Sequence, residues 1–404
     1  MDNVEVIVRA SARHNRRDAA RMASRIIADI GEAGGFPIRE VEAPSRDALV
    51  AVLVLTGGVE REVLKLVSQL PSPNLLIAHS GHNSLPAALE ILARLRQDGG
   101  EGRILFGSPE TIASELTGEL SVSSAWQRLR FSRIGVIGDP SEWLVASHVD
   151  RAFVKGRLGI ELVEIDLETL IERIGSASPS RHDVARLVKG SSSPPTPTKD
   201  KLKQAVAIYA GLRSLIEEHR LAACTVRCFD LLQHLENTSC YALSRLNDER
   251  VPAACEGDLQ ALFSLYLGVL ISDRPALMGN LASVETNARS VTVAHCTCPL
   301  SLGSSYAVLS HFESDLGVGL DVDVPPGPCT LFRLGGERLD HLFVRQGTIT
   351  GDPGREDLCR TQVLLSVDDE IDELLTAPLG NHHILLVGHH ADTITRFFER
   401  YLHP

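Results

Sequence analysis

Strands and helices alternate through the first 110 residues, and this alternation limits the fold more than any other feature. "VEVIVRA" (4–10), "ALVAVLVLTGG" (48–58), "NLLIAHS" (74–80) and "GRILFGS" (102–108) are short apolar runs. Helical stretches separate them at about 14–33, at 59–69 and at 84–99. The last has Ser84 as its expected N-cap, Pro86 in its first turn and Gly99 near its end. Apolar strands joined by such helices form parallel sheets covered on both faces. Ligands of these sheets bind beyond the carboxyl ends of the strands. Gly57, Gly58 and "HSGHNS" (79–84) fall there.

The pattern then restarts. "LRFSRIGVIGDPSEW" (129–143) and "GIELVEIDLETLIERI" (159–174) begin a second α/β unit, with a helix over 200–219 and "ACTVRCF" (223–229) as a strand. "KGSSSPPTPTKD" (189–200) is too rich in Ser and Pro for regular structure and is expected to be a surface loop. Beyond 288 come short strands separated by Gly and Pro, among them "SVTVAHC", "GVGLDVDV", "CTLFRLG" and "HLFVRQGTIT". Such spacing marks antiparallel sheet and a small barrel. The expectation is an α/β protein with two flavodoxin/Rossmann-like domains, each with a parallel sheet, and a C-terminal antiparallel β-barrel-like domain. The expected boundaries are 1–127, 128–287 (carrying Glu256) and 288–404, the last closing on a helix. A chain of 404 residues has room for two or three domains.

Composition removes several classes. With 4% aromatics and a net charge of −12, no basic stacking surface exists for nucleic acid. No run of about 18 apolar residues is present, so no membrane span is expected. The opening "MDNVEVIVRASARHNRRDAARM" lacks the apolar core and cleavage site of a secretory signal, and eight cysteines are too sparse for a disulfide framework. Reduced thiols and a cytoplasmic location are the expectation. No GxGxxG, GxxxxGK[ST], GxSxG or HExxH occurs, which counts against dinucleotide, P-loop, serine-hydrolase and zincin chemistry.

The chemistry gathers around "VPAACEGDLQALFSLYLGVLISDRPALMGN" (251–280). Glu256 and Asp258 precede a long apolar helix, and carboxylates there serve as helix caps. His295 ends a strand in "VTVAHC", and His382 and His383 open another after "LGN". Each histidine alone reads as a hydrogen-bonded structural residue. Together with Glu256 they supply one carboxylate and imidazoles from three distant segments. That mixed oxygen and nitrogen set suits Mn²⁺ or another divalent cation. A thiolate site is the rival, from Cys224 with Cys228 and Cys296 with Cys298, but neither pair has the CxxC spacing of a zinc knuckle. Those cysteines otherwise read as small buried hydrophobes.

Taken in order, "HNSLPAALEI" (82–91), "SRIGVIGDPSEWLVAS" (132–147), "TVRCFDLLQ" (225–233), "CYALSRLNDERVPAACEGDLQALFSLYLGVL" (240–270), "VTVAHCTCP" (291–299), "HFESDLGVG" (311–319), "CTLFRLGGERL" (329–339) and "GNHHILLVGHH" (380–390) resemble the L-fucose isomerase and L-arabinose isomerase superfamily. The closest likeness is to its shorter, fucose-isomerase-like sugar isomerases. The resemblance implies a metal-dependent aldose–ketose isomerase acting on a monosaccharide through a cis-enediol. It implies Mn²⁺ and a homotrimer or homohexamer with the active site at a subunit interface. Carried over by position, Glu256 is the first acidic ligand and base, His382 the C-terminal histidine ligand, with His383 as its one-residue alternative. His295 is an additional ligand. Loops 80–84 and 140–147 of a neighbouring subunit are expected to set specificity, and Arg130 and Arg227 to hold an anionic substituent or to form salt bridges.

The family's second acid falls on Asn280. An amide offers a carbonyl oxygen to a cation but takes no proton. Three outcomes follow: Glu256 acts as sole base, Asp258 or Glu285 takes over, or the chain is a non-catalytic or altered-activity sugar-binding relative.

Overall fold

A computed structural model describes residues 4–45, 48–70 and 73–403. The chain divides near residue 124 into two compact units. In the first, five parallel strands lie in the order β2-β1-β3-β4-β5. They are β1 (Val4–Arg9), β2 (Ile38–Glu40), β3 (Leu49–Val54), β4 (Asn74–Ile77) and β5 (Gly102–Leu105). This is the flavodoxin order. Successive residues of the strands feed opposite cores: Leu53, Leu75 and Ile77 pack with Ile27, Ile30 and Leu116, while Val52, Val54 and Leu76 pack with Val63 and Ile91. Burial on both faces is why these strands are apolar throughout. Ser84 is not the cap of its helix. Asn83 holds that position in a left-handed conformation, and Ser84 starts the helix. The Ser84 hydroxyl donates to the Val54 carbonyl and accepts from the His79 amide at 3.0 Å, so it ties two strand ends together.

The second unit starts with a parallel sheet in the order β7-β6-β8-β9. Its strands are β6 (Arg133–Ile137), β7 (Glu161–Ile165), β8 (Ala223–Val226) and β9 (Ala253–Ala254). Strand β8 is shorter than the apolar run 223–229, because the chain turns at Arg227 into the helix Cys228–Leu235. Residues 190–198 carry no helix or strand beyond a single bridge from Ser191 to Tyr306.

A six-stranded closed antiparallel barrel completes the unit. It contains β10 (Leu277–Glu285), β11 (Ser290–His295), β14 (Gly327–Gly335), β15 (His341–Gly351), β16 (Thr361–Val367) and β17 (His382–Val387). The hairpin β12 (Ser305–Leu309) and β13 (Gly319–Asp323) stands outside it. The barrel thus starts at Leu277. The helix Leu259–Ser272 is buried all round as far as Ile271. It packs on the barrel wall at Gly268, where an added Cβ would lie 2.9 Å from Leu386 and 3.2 Å from Phe332. Among the described residues no helix is long and apolar enough to cross a membrane.

Alternation along β17 separates its two histidines. Leu385 pairs with Leu277 and Leu331, and all three belong to the barrel core. His383 shares their face, with its ring edge-on to Phe343 at 5.5 Å. His382, Ile384 and Leu386 take the opposite face, toward the buried helix. Desolvation holds His383 neutral, its pKa pushed down to about 3. The unfolded chain protonates it near 6.5. Between those values the unfolded state binds a proton that the folded state refuses, so stability is lost as pH falls below 6.5. We expect His383→Leu to gain about 2 kcal/mol on the parent protein between pH 7.5 and pH 5, at roughly 1.4 kcal/mol per pH unit below 6.5. Urea midpoints at the two pH values measure it.

Candidate active site

Glu256 sits in the sharp crossing between β9 and the buried helix. Both Glu256 (φ 63°) and Gly257 (φ 76°) are left-handed. A Cβ on Gly257 would lie 2.5 Å from the Pro140 Cα, so only glycine fits beside that backbone. The loop after β6 closes over the turn: the Ser141 amide donates to the Glu256 carbonyl at 2.9 Å, and the Trp143 indole donates to Glu256 Oε2 at 2.6 Å. Loop 140–147 therefore packs on the site of its own chain, where the expectation was a neighbouring subunit's loop. Glu256 is buried, with 7% of its surface exposed. Burial opposes its charge, but His382, Trp143 and His295 outweigh that and hold its pKa below the ordinary carboxylate value.

His382 is fully buried and lies 3.5 Å from Glu256 Oε1 through Nε2, an atom with no hydrogen-bond partner. Its Nδ1 is 3.0 Å from Asp258 Oδ2. Asp258 takes both roles open to it. Its Oδ1 accepts from the Ala261 amide at 2.8 Å and caps the helix, while Oδ2 faces His382 and the Arg333 guanidinium at 3.5 Å. Desolvation works against a charged His382, but Asp258 and then Glu256 reverse it and raise its pKa to about 9. His295 Nδ1 pairs with the Thr297 hydroxyl at 2.8 Å, and its ring centre is 5.6 Å from that of His382. Burial and the neighbouring His382 push His295 down to about 3.

Asn280 pairs with His382 across β10 and β17 and shares its face. Its Oδ1 accepts from Asn381 Nδ2 at 3.1 Å. Glu256, Asn280 and His295 line one cleft that is partly open to solvent. The geometry thus brings together Glu256, Asn280, His295 and His382. His383 faces the barrel interior instead, because neighbouring strand residues point to opposite faces. Glu285 is exposed at the far end of β10. Arg227 is paired with Glu142 (2.6 Å) and Asp230 (2.7 Å), and Arg130 lies over Trp126 and Phe131. Of the thiolate pairs weighed from sequence, Cys228 and Cys296 reach the cleft while Cys224 and Cys298 do not line it.

Several residues around Glu256 carried no functional signal in the sequence. Trp143, which bonds Glu256, was visible only as the end of a Gly-Asp-Pro turn. His311, Glu313, Cys240, Cys255 and Cys359 line the cleft. Cys255 was legible as the residue before Glu256, but nothing in the sequence points its sulfur inward. Cys255, Glu256 and His295 offer donor atoms within 4.8 Å of one another, all buried.

No model of a known protein family matches this chain. Four curated relatives do, all named sulfoquinovose isomerase. That of Alkalicoccus urumqiensis is 24% identical over 332 residues, covering 78% of this chain and 74% of the relative. That of a Clostridium species is 21% identical, over 63% of this chain and 59% of the relative. That of Priestia aryabhattai is 22% identical, over 70% and 66%. The chain thus spans less than two thirds of the Clostridium protein's length. These likenesses agree with a chain built of two parallel α/β sheets and an antiparallel barrel. Over much of its length the chain is similar to these sugar isomerases.

Proposed function

We propose that the protein interconverts an aldose and a ketose with the help of a divalent cation, Mn²⁺ or another, through a cis-enediol. Sulfoquinovose, the sugar named by the relatives, is the first substrate to try. The observation that carries this reading is the state of His382. Its Nε2 is buried without a partner and faces the Glu256 carboxylate, while Asp258 secures Nδ1. Metal-binding histidines are held by a carboxylate in this way. Glu256, His382, His295 and the Asn280 carbonyl would hold the cation. When bound, such an ion polarises adjacent substrate oxygens and offsets the negative charge that develops on them.

The remaining steps belong to the chain. Glu256 takes the proton from the substrate carbon and returns it to the neighbouring carbon, as a positioned carboxylate. Trp143 holds the second Glu256 oxygen and fixes the plane of the group. Asn280 carries no proton. Carboxylates and imidazoles lining the cleft that can carry one are Glu256, His295, His311 and Glu313. Assembly as a trimer or hexamer, with the cleft completed at a subunit interface, is part of the same proposal.

Hydrogen exchange at C2 in heavy water, followed by NMR with sulfoquinovose and a panel of aldoses, tests the activity. Absence of exchange with every sugar, in the presence of Mn²⁺, Co²⁺ or Zn²⁺, would refute it. Glu256→Gln should slow exchange by about 10²- to 10⁴-fold, the usual worth of a positioned base. Asn280→Asp adds a negative charge and should tighten cation binding, read by calorimetry. Arg333→Met should destabilise the fold by about 3–5 kcal/mol, because it leaves the Asp258 charge buried with one cation fewer. Thermal and urea unfolding measure that loss.

A further inference from the structure

We propose that the Cys255 thiolate is itself a ligand of the cation and makes good the charge lost at Asn280. The site would then favour a borderline-soft ion such as Zn²⁺, Co²⁺ or Fe²⁺ over Mn²⁺ or Mg²⁺. This inference rests on the cation reading above and adds a donor to it.

Geometry comes first. Cys255 Sγ, a Glu256 carboxylate oxygen and a His295 ring nitrogen lie within 4.8 Å of one another. Donors at tetrahedral angles on one ion stand roughly 3.3–3.8 Å apart for bonds of about 2.0–2.3 Å. Side-chain rotations that draw the donors together by about 1 Å close the set. All three residues are buried, so water does not compete freely for the donors.

Charge comes second. With an amide at 280, Glu256 is the sole carboxylate among the donors named for the site, against two positive charges. A thiol that binds the ion releases its proton to solvent and leaves a thiolate, and each such exchange adds one negative charge to the site. Position 255 precedes Glu256 directly, so the turn that aims the carboxylate also fixes the sulfur. Cys228 Sγ is 2.8 Å from Cys255 Sγ, placed to donate an S–H to it as an outer partner. Thiolate is a soft donor and shifts selection away from the hard ions that carboxylates and water prefer.

The test uses the full-length, metal-stripped and reduced protein, titrated with Co²⁺. A thiolate bound to Co²⁺ gives a near-ultraviolet charge-transfer band that oxygen and nitrogen donors do not. The parent protein should show the band at one Co²⁺ per chain. Cys255→Ser should lose it and bind Co²⁺ at least about 10-fold more weakly, a loss that even an outer partner of a ligand can cause. Cys228→Ser should keep the band. Zn²⁺ should displace Mn²⁺ from the parent protein far more effectively than from Cys255→Ser. If Cys255→Ser does not fold, the parent spectrum and the Cys228→Ser spectrum still decide the matter. Stoichiometric Co²⁺ binding without the band, or a band that survives in Cys255→Ser or vanishes in Cys228→Ser, overturns the thiolate ligand and leaves the cation site standing. No binding of Co²⁺, Zn²⁺ or Mn²⁺ overturns both.

Discussion

The carboxylate of Asp258 is the fixed point of the second unit. Asp258, Arg333 and His382 have no exposed surface. An unpaired carboxylate at such depth is costly, and each of its oxygens is occupied here. One caps the buried helix, and the other faces His382 and Arg333. Arg333 in turn donates to the carbonyls of Leu379 and His382 and to the Ser147 hydroxyl. Gln260, from the first turn of the same helix, bonds the carbonyls of Ala146, His148 and Gly336. The network therefore binds barrel, helix and the loop after β6 into one arrangement. Each member is satisfied only while the others stay in place.

That arrangement explains how Glu256 can hold a left-handed backbone. A non-glycine residue in this conformation costs on the order of 1–2 kcal/mol and persists only where its surroundings overrule it. Here the surroundings are the Ser141 amide, the Trp143 indole and the Pro140 backbone packed on Gly257. The strain aims the Glu256 side chain away from the helix cap and into the cleft, while Asp258, two residues on, supplies the cap. The cap and the site chemistry are thus divided between two acids that the sequence presents as equivalent.

Much of the architecture was legible because it is periodic. Strand and helix alternation gave both parallel sheets, and short Gly-bounded strands gave the barrel. Strand alternation also had the power to separate His382 from His383, once the inward face of β17 was known. That face depends on which strands flank it, and β10 belongs to the barrel although its segment "LMGNLASVE" follows the helical texture before it. The end of β8 depends on distant contacts. "ACTVRCF" is mostly apolar and β-prone, but Arg227 bonds to Pro140, Glu142 and Asp230 where the chain turns into the next helix. Trp143 was illegible because its contact with Glu256 joins segments 113 residues apart, and no local pattern encodes such a meeting.

The wall of the cleft gives Asn280 its weight. Five thiols line it, those of Cys228, Cys240, Cys255, Cys296 and Cys359, beside Phe229 and Leu232. These groups offer little competition for a charge and little screening of one. In such a setting one elementary charge changes the field at the site more than it would at a solvated surface. An acid at 280 would add to Glu256 and Asp258 a third carboxylate near His382. With the amide, the local field has fewer negative charges, and Asn381 holds the amide through its Oδ1 rather than leaving it to rotate. Position 280 is therefore a fixed neutral dipole. Charge balance for a cation then falls to the carboxylates that line the cleft, Glu256 and Glu313.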